Sequence, residues 1–304
     1  MAAASTIKLP IGIDDFALLR ASGSYYIDKT RFIRDVMDAG ALVLLFPRPR
    51  RFGKSLALST LRYFFDRRHA SDSPTLFHGL AIADDTEFCK AHQGHYPLVH
   101  ISLKDIKTST YDACIGRMRE LIANAVKEHI DLFESTELTP HDRTKLQQLL
   151  HEQASEIDLA TSLKLLTACL RQAYGERVIL LIDEYDTPLH SAYTHRYFDE
   201  AIEFFRTFLG SALKGNENLH KGILTGILRV AKESIFFGLE PYQSIQSDKL
   251  ALWIRVWVHP RRSRATCRRL QPRRSRGWNR EMVQRLPNGA GDCLQSVVGS
   301  QLLE

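Results

Sequence analysis

The sequence predicts an α/β fold with a mainly parallel sheet flanked by helices. Apolar runs of strand length recur along the chain, and those at 41–46 and 178–182 contain no polar residue. Such runs are typical of strands that are buried on both faces of a parallel sheet. Segments with the apolar spacing of amphipathic helices alternate with them, as in consecutive βαβ units.

The first 40 residues precede the first of these strands. Residues from 10 onward are predicted to be a loop and then a helix, because apolar residues recur at helical spacing before Gly40. That apolar stripe consists of Phe32, Ile33, Val36 and Met37. The later elements are predicted, in chain order, as a strand at 41–46, a helix at 55–65, a strand at 97–103, a helix at 111–130, a polar stretch at 134–145, a helix at about 157–174, and then a strand at 178–182, a helix at 191–213 and a strand at 221–228.

Composition limits the classes of protein to which the chain can belong. Its 304 residues are 44% hydrophobic, enough for a sizeable core. No apolar run approaches the roughly 20 residues of a membrane-spanning helix, and the N-terminus has no pattern of a secretory signal. The five cysteines are odd in number and form no CxxC pair. We therefore expect an intracellular, cytoplasmic protein, with the nucleus also open, and no membrane partner.

The segment PRPRRFGKS, residues 47–55, follows the first strand and opens a helix. This is the context that a phosphate-binding loop requires, because the free N–H groups at a helix start favour an anion. Gly53 would let the backbone approach phosphates, Lys54 would reach the β- and γ-phosphates, and Ser55 would bind Mg²⁺. The alternative is a basic surface turn that happens to contain Gly-Lys-Ser.

A second polar signal follows the strand VILLI, where Asp183 and Glu184 come directly after it. In nucleotide hydrolysis a carboxylate near the metal is needed at the end of a neighbouring strand. Asp183 would hold Mg²⁺ through water, and Glu184 would polarise the attacking water. The alternative is a pair of acidic residues that only terminates a strand.

Two further residues are candidates at the end of the strand at 221–228. Thr225 would sense the γ-phosphate, and Arg229 would neutralise phosphate charge. The alternative is an ordinary strand threonine and an ordinary surface arginine.

Five motifs in order carry a family resemblance. The segments LPIGIDDF, YYIDKT, RPRRFGKSL, LLIDEYDTPL and LTGILRVAKESIF resemble the AAA-ATPase-like family of P-loop proteins, from about residue 9 to 240. The resemblance implies a P-loop NTPase fold of the AAA or STAND type. It also implies that Lys54, Ser55, Asp183 and Glu184 bind and process ATP with Mg²⁺.

The family pattern also accounts for the unusual loop. Its members carry RPRRFGKS or RPRRFGKT, with arginine in place of the first glycine, so Arg48 is a family variant. Arg50 or Arg51 would add positive charge beside the anion-binding loop. The chain departs from the family at FFGLEPY, residues 236–242, where members tend toward FSGLNN.

Residues 251–304 differ from the rest of the chain. They carry 11 Arg, no Lys and three acidic residues, a net charge of +8, whereas the other residues carry 30 basic and 32 acidic side chains. They contain all three tryptophans but no Phe or Tyr. We therefore predict two parts, an ATPase-like domain at 1–250 and an Arg-rich tail at 251–304 that is expected to be poorly ordered.

A shifted reading frame is our explanation for this tail. Codons permitted for IRVWVHPRRSR, read one base later, can spell FGFGYTRGEV. Codons for residues 281–300, shifted in the same way, can spell KWYNGYRMERETVYNPWSVV, similar to the family's WYNGYR and YNPWSV segment. The expected shift lies near residues 250–254. Sequencing of the transcript across codons 245–260 tests it.

Three functions are compatible with the sequence. The first is an ATP-hydrolysing nucleotide switch that is truncated before its usual output domain. Family members often carry a C-terminal nuclease-like domain of the restriction-endonuclease type, through which they would bind nucleic acid. The resemblance finds no counterpart of that domain in this sequence. The second is a nucleotide-binding interaction module with little hydrolysis, or an inactive product of a frameshifted gene. The third, a basic nucleic-acid binder, depends only on the tail. Partner and oligomeric state are left open.

Overall fold

A computed structural model describes residues 9–49, 52–227 and 243–244. The predicted site residues Arg50, Arg51 and Arg229 lie outside these ranges, as does the predicted tail at 251–304. The division of the chain at residue 250 therefore stays a prediction.

The described strands form one parallel sheet. They are β1 (Val43–Pro47), β2 (Leu98–Ser102), β3 (Val178–Asp183), β4 (Leu219–Gly226) and β5 (Gln243–Ser244). Their order across the sheet is β2-β3-β4-β1-β5, and every pair is parallel. All six residues of β3 are buried, as expected for a strand in the interior of a sheet that is covered on both faces. The predicted α/β class is confirmed.

Eleven α-helices lie in the part of the chain that the structure describes. They are α1 (Phe16–Ala21), α2 (Phe32–Asp38), α3 (Lys54–Phe65), α4 (Ser73–Phe77), α5 (Thr86–His92), α6 (Tyr111–Lys127), α7 (Pro140–Leu150), α8 (Glu156–Ala160), α9 (Ser162–Tyr174), α10 (Thr187–His195) and α11 (Phe198–Leu213). None of the helices in these described ranges is long and apolar enough to cross a membrane.

Each face of the sheet carries its own apolar core. Alternate residues of β1 divide between them: Leu44 and Phe46 pack toward α3, and Val43 and Leu45 pack toward the opposite face. The core around α3 also holds residues of α1, α2 and α5, and the other core holds residues of α6, α9 and α11. The sheet therefore lies between two helical layers, with α3 directly on one face.

Three predicted segments differ from the structure. The segment predicted as loop contains α1, because the Asp15 side chain accepts a hydrogen bond from the Leu18 N–H and caps the helix. The polar stretch at 134–145 contains the start of α7, where Thr139 caps the helix and Pro140 occupies its first turn. The helix predicted at 157–174 is two helices, which meet at Thr161.

The helix predicted at 191–213 begins earlier than expected and is interrupted. Helix α10 starts at Thr187 and ends where Arg196 takes a positive φ of 65°. Helix α11 then starts at Phe198. A left-handed residue cannot continue an α-helix, so the single predicted helix becomes two.

Candidate functional site

The carboxyl ends of β1, β3 and β4 lie side by side at one edge of the sheet. Strand β4 lies between β1 and β3, and Pro47 of β1 is in register with Gly226 of β4. In open α/β sheets this edge is where ligands bind, because loops and helix starts gather there. The topology therefore brings the segments around Lys54, Asp183 and Thr225 to one place.

The phosphate-loop candidate connects β1 to α3. Gly53 has a φ of 67°, the left-handed conformation that glycine adopts without strain, and directly precedes α3. Lys54 is only 8% exposed, and its Nζ donates hydrogen bonds to the carbonyl oxygens of Arg48 at 3.0 Å and Pro49 at 3.1 Å. The Arg48 N–H donates to the Gly226 carbonyl at 2.9 Å, so the loop is tied to the end of β4.

Asp183 links three elements through its carboxylate. The Ser55 hydroxyl, at the start of α3, donates to Asp183 Oδ2 at 2.6 Å. The Thr225 hydroxyl, on β4, donates to Asp183 Oδ1. Asp183 and Thr225 are each 3% exposed, so this contact is largely shielded from solvent. Three of the residues predicted from distant parts of the sequence are therefore in direct contact.

Glu184 lies at the turn that follows β3. Its φ is 50°, an uncommon conformation for a residue that is not glycine. Its N–H donates to Thr225 Oγ1 at 3.4 Å, and its Oε2 accepts a hydrogen bond from the Thr187 hydroxyl at 3.1 Å. The backbone thus turns the Glu184 carboxylate away from the line of the strand toward the start of α10.

A model of the AAA-ATPase-like family, described as "Predicted AAA-ATPase", matches residues 10–236. The chain belongs to this family. A protein of Azotobacter chroococcum mcd 1, described as "Uncharacterized protein in vnfD 5'region", is 30% identical over 243 residues, which are 79% of this chain and 41% of that protein. The chain thus spans less than half the length of that relative. No solved structure matches the chain.

In this AAA-ATPase-like chain, three residues that sequence reasoning missed support the turn after β3. The Thr187 hydroxyl holds the Glu184 carboxylate. Asp186 is 3% exposed and accepts a hydrogen bond at Oδ2 from the Ile227 N–H at 2.9 Å. A Cβ on Gly226 would lie 2.6 Å from Tyr185 Cε1, so only glycine fits there without a shift. The sequence Asp-Thr-Pro is typical of a helix start and could have indicated Asp186 and Thr187, whereas no local sequence pattern indicates Gly226.

Burial lowers the pKa of two basic side chains around the site. Burial lowers the pKa of the Arg48 guanidinium below its usual range. Burial, assisted by the nearby Arg62 cation, lowers the pKa of His100 on β2 to about 4. His100 is therefore neutral at pH 7 and adds no positive charge beside Asp183.

Proposed function

We propose that this member of the AAA-ATPase-like family binds ATP with Mg²⁺ at the carboxyl edge of its sheet and hydrolyses it as a nucleotide switch. The observation that carries the proposal is the 2.6 Å contact between Ser55 Oγ and Asp183 Oδ2. It joins the residue after the phosphate-loop lysine to the carboxylate at the end of β3. This is the pairing that a magnesium nucleotide requires of a P-loop protein.

Phosphate binding falls to the loop before α3. The N–H groups at the start of α3 have no partners within the helix and favour an anion. Gly53 keeps the backbone free of a Cβ where phosphate would approach. The Lys54 ammonium, which donates hydrogen bonds to two loop carbonyls, would exchange them for phosphate oxygens. Arg50 and Arg51 would add positive charge at the same loop.

The residues present fit a magnesium ion. Mg²⁺ prefers oxygen ligands and is held in proteins by one or two carboxylates together with substrate phosphates. Ser55 Oγ and the Asp183 carboxylate supply such oxygens and already lie in contact. When bound, the ion neutralises charge on the phosphate oxygens. Ser55 would then exchange its hydrogen bond to Asp183 for the metal, while Thr225 keeps Asp183 oriented.

Hydrolysis requires a group that orients and polarises water, and Glu184 is the candidate for that role. Its Oε2 is held by Thr187, and its Oε1 accepts no hydrogen bond from the residues that the structure describes. One carboxylate oxygen is therefore fixed in place while the other is left to accept a proton from water. Arg229 would contact the γ-phosphate from the segment after β4, and Thr225 would sense it only by moving its one hydroxyl proton from Asp183 to a phosphate oxygen.

A second function, nucleotide binding without turnover, is favoured by one observation. Both Asp183 oxygens already accept hydrogen bonds from hydroxyl groups, so the contacts here also describe a stable resting arrangement. In this alternative the chain works as an interaction module, and the altered tail predicted at 251–304 removes the output of the switch.

Replacement of Glu184 by glutamine separates the two functions. We expect Glu184→Gln to abolish ATP turnover in a phosphate-release assay and to leave ATP affinity, measured by calorimetry, within about twofold. Equal turnover in the variant and the wild type would end the assignment of Glu184. A wild type that binds ATP and releases no phosphate would favour the interaction module.

A further inference from the structure

Ser102 is the last residue of β2, next to the candidate site but outside the motifs that follow β1, β3 and β4. It is in register with Asp183 on β3, and the Leu103 N–H donates to the Asp183 carbonyl at 2.9 Å. Partners in register on parallel strands direct their side chains to the same face of the sheet. Leu98 of β2 and Leu181 of β3 lie in the core beneath α3, which identifies that face. Ser102 and Asp183 therefore both face the start of α3.

The Ser102 hydroxyl is buried, yet it makes no hydrogen bond within the described part of the chain. Most buried polar groups in proteins are bonded, and leaving one without a partner is unfavourable. Two buried hydroxyls of α3 follow that rule. Ser59 Oγ accepts from the Phe16 N–H and donates to Asp15, and Thr60 donates to the Leu56 carbonyl. Ser102 therefore departs from this rule, and it lies at the sheet edge where the nucleotide is proposed to bind.

Position and chemistry indicate which partner this hydroxyl serves. Neighbouring strands lie about 4.8 Å apart, so Ser102 and Asp183 are separated by roughly one strand spacing. The two side chains make no hydrogen bond to each other, and the Asp183 oxygens are engaged by Ser55 and Thr225. Mg²⁺ keeps several of its water ligands, and those waters donate strong hydrogen bonds. A hydroxyl one strand away from the metal carboxylate is suited to accept such a bond.

We propose that Ser102 is a further residue of the magnesium site, where its hydroxyl accepts a hydrogen bond from a water bound to the cation. This inference rests on the proposed function, because the cation is that of the magnesium nucleotide. Ser102 thereby acts on the ion through water and not as a direct ligand. Outer groups of this kind typically change metal affinity by 10- to 100-fold.

The test compares Ser102→Ala with Ser59→Ala in the full-length chain. ATP binding is measured by calorimetry during a Mg²⁺ titration and again in EDTA, and urea unfolding is measured without ligand. For Ser102→Ala we expect the half-saturating Mg²⁺ concentration to rise by roughly tenfold, with affinity in EDTA unchanged. The urea midpoint should stay at the wild-type value, because no hydrogen bond within the described chain is lost. Ser59→Ala should lower the urea midpoint and leave the Mg²⁺ dependence unchanged.

Four outcomes count against the inference or its basis. An unchanged Mg²⁺ dependence in Ser102→Ala overturns the inference while ATP binding stands. A drop in urea midpoint as large as that of Ser59→Ala, or a failure to fold, also overturns it, because the hydroxyl would then serve the fold. If the wild type binds ATP equally well in Mg²⁺ and in EDTA, the proposed cation is not part of the site. A wild type that binds no ATP overturns the proposed function itself.

Discussion

The Thr187 hydroxyl donates a hydrogen bond of 3.1 Å to Glu184 Oε2, across the first turn of α10. Glu184 reaches this position because its backbone takes a positive φ of 50°. The Thr187 N–H also donates to the Glu184 carbonyl at 3.0 Å. Thr187 therefore fixes both the backbone and the carboxylate of the residue proposed to polarise water.

Removal of that hydroxyl should lower turnover more than binding. We expect Thr187→Val to reduce kcat for ATP hydrolysis by roughly 10- to 100-fold, because a carboxylate that can rotate is misplaced for proton transfer. ATP affinity should change little, since Thr187 does not touch the phosphate loop. Steady-state kinetics and calorimetry give the two values.

Thr187→Ser is the matched control, because it keeps the hydroxyl and loses only a methyl group. It should retain turnover within a few-fold of the wild type. Equal losses in Thr187→Val and Thr187→Ser would contradict this role of the hydrogen bond, because Thr187→Ser keeps the hydroxyl that donates it. A loss in affinity without a loss in kcat would place Thr187 in substrate binding.

Gly226 is expected to be intolerant of any side chain. A Cβ at this position would lie 2.6 Å from Tyr185 Cε1 and 2.8 Å from Asp186 Oδ1, both beside the turn that carries Glu184. Gly226→Ala should therefore lower the free energy of unfolding by about 1–3 kcal/mol, as overpacking of a core does. Urea unfolding followed by circular dichroism measures the change.

Gly210→Ala provides the opposite case on the same scaffold. Gly210 lies inside α11, and a Cβ there meets no atom within 4 Å. Alanine in a helix interior is more stable than glycine by roughly 0.5–1 kcal/mol, so this variant should be neutral or stabilised. Similar stabilities for both variants would mean that the turn after β3 adapts to a side chain at Gly226.

His129 should make the fold sensitive to acid. It is 3% exposed, and burial, assisted by the Arg68 cation, lowers its pKa to about 4. The ordinary histidine pKa is about 6.5, so the unfolded chain binds a proton that the folded chain excludes between these values. The contribution of neutral His129 to the free energy of unfolding is therefore fully present above about pH 6.5, and it is lost as the pH falls from about 6.5 toward 4.

The variant His129→Gln should reduce this pH dependence. We expect a shallower slope of the unfolding free energy between about pH 4.5 and 6.5, with some slope left because burial also lowers the pKa of His100. His95→Gln, at an exposed position, should keep the wild-type slope. An unchanged slope in His129→Gln would contradict a buried, neutral His129.

Much of the site could be predicted because its residues directly follow recognisable strands. Asp183 ends an uninterrupted apolar strand, and Lys54 and Ser55 open the helix after another. Parallel strands end at one edge, so their terminal residues meet even when more than a hundred positions separate them. The contact between Ser55 and Asp183 follows from this rule.

Other parts could not be predicted because their cause lies far away in the chain. Gly226 is required by Tyr185 and Asp186, and the role proposed for Ser102 depends on its register with Asp183. Neither relation leaves a periodic pattern in the sequence. Helix α1 is short and depends on packing against α3, where Ser59 and Tyr63 bond to Asp15, and so it was predicted as loop.

Calorimetric titration of Mg²⁺-ATP into the wild type, Lys54→Ala and Lys104→Ala measures whether Lys54 binds the nucleotide phosphates. Lys54 begins α3 at the proposed phosphate loop, whereas Lys104 is an exposed lysine just beyond β2 that controls for the loss of one positive charge. We expect the wild type and Lys104→Ala to bind ATP alike and Lys54→Ala to bind it roughly 10- to 100-fold more weakly, the size of a lost charged hydrogen bond. Equal affinity in Lys54→Ala and the wild type would contradict the phosphate site.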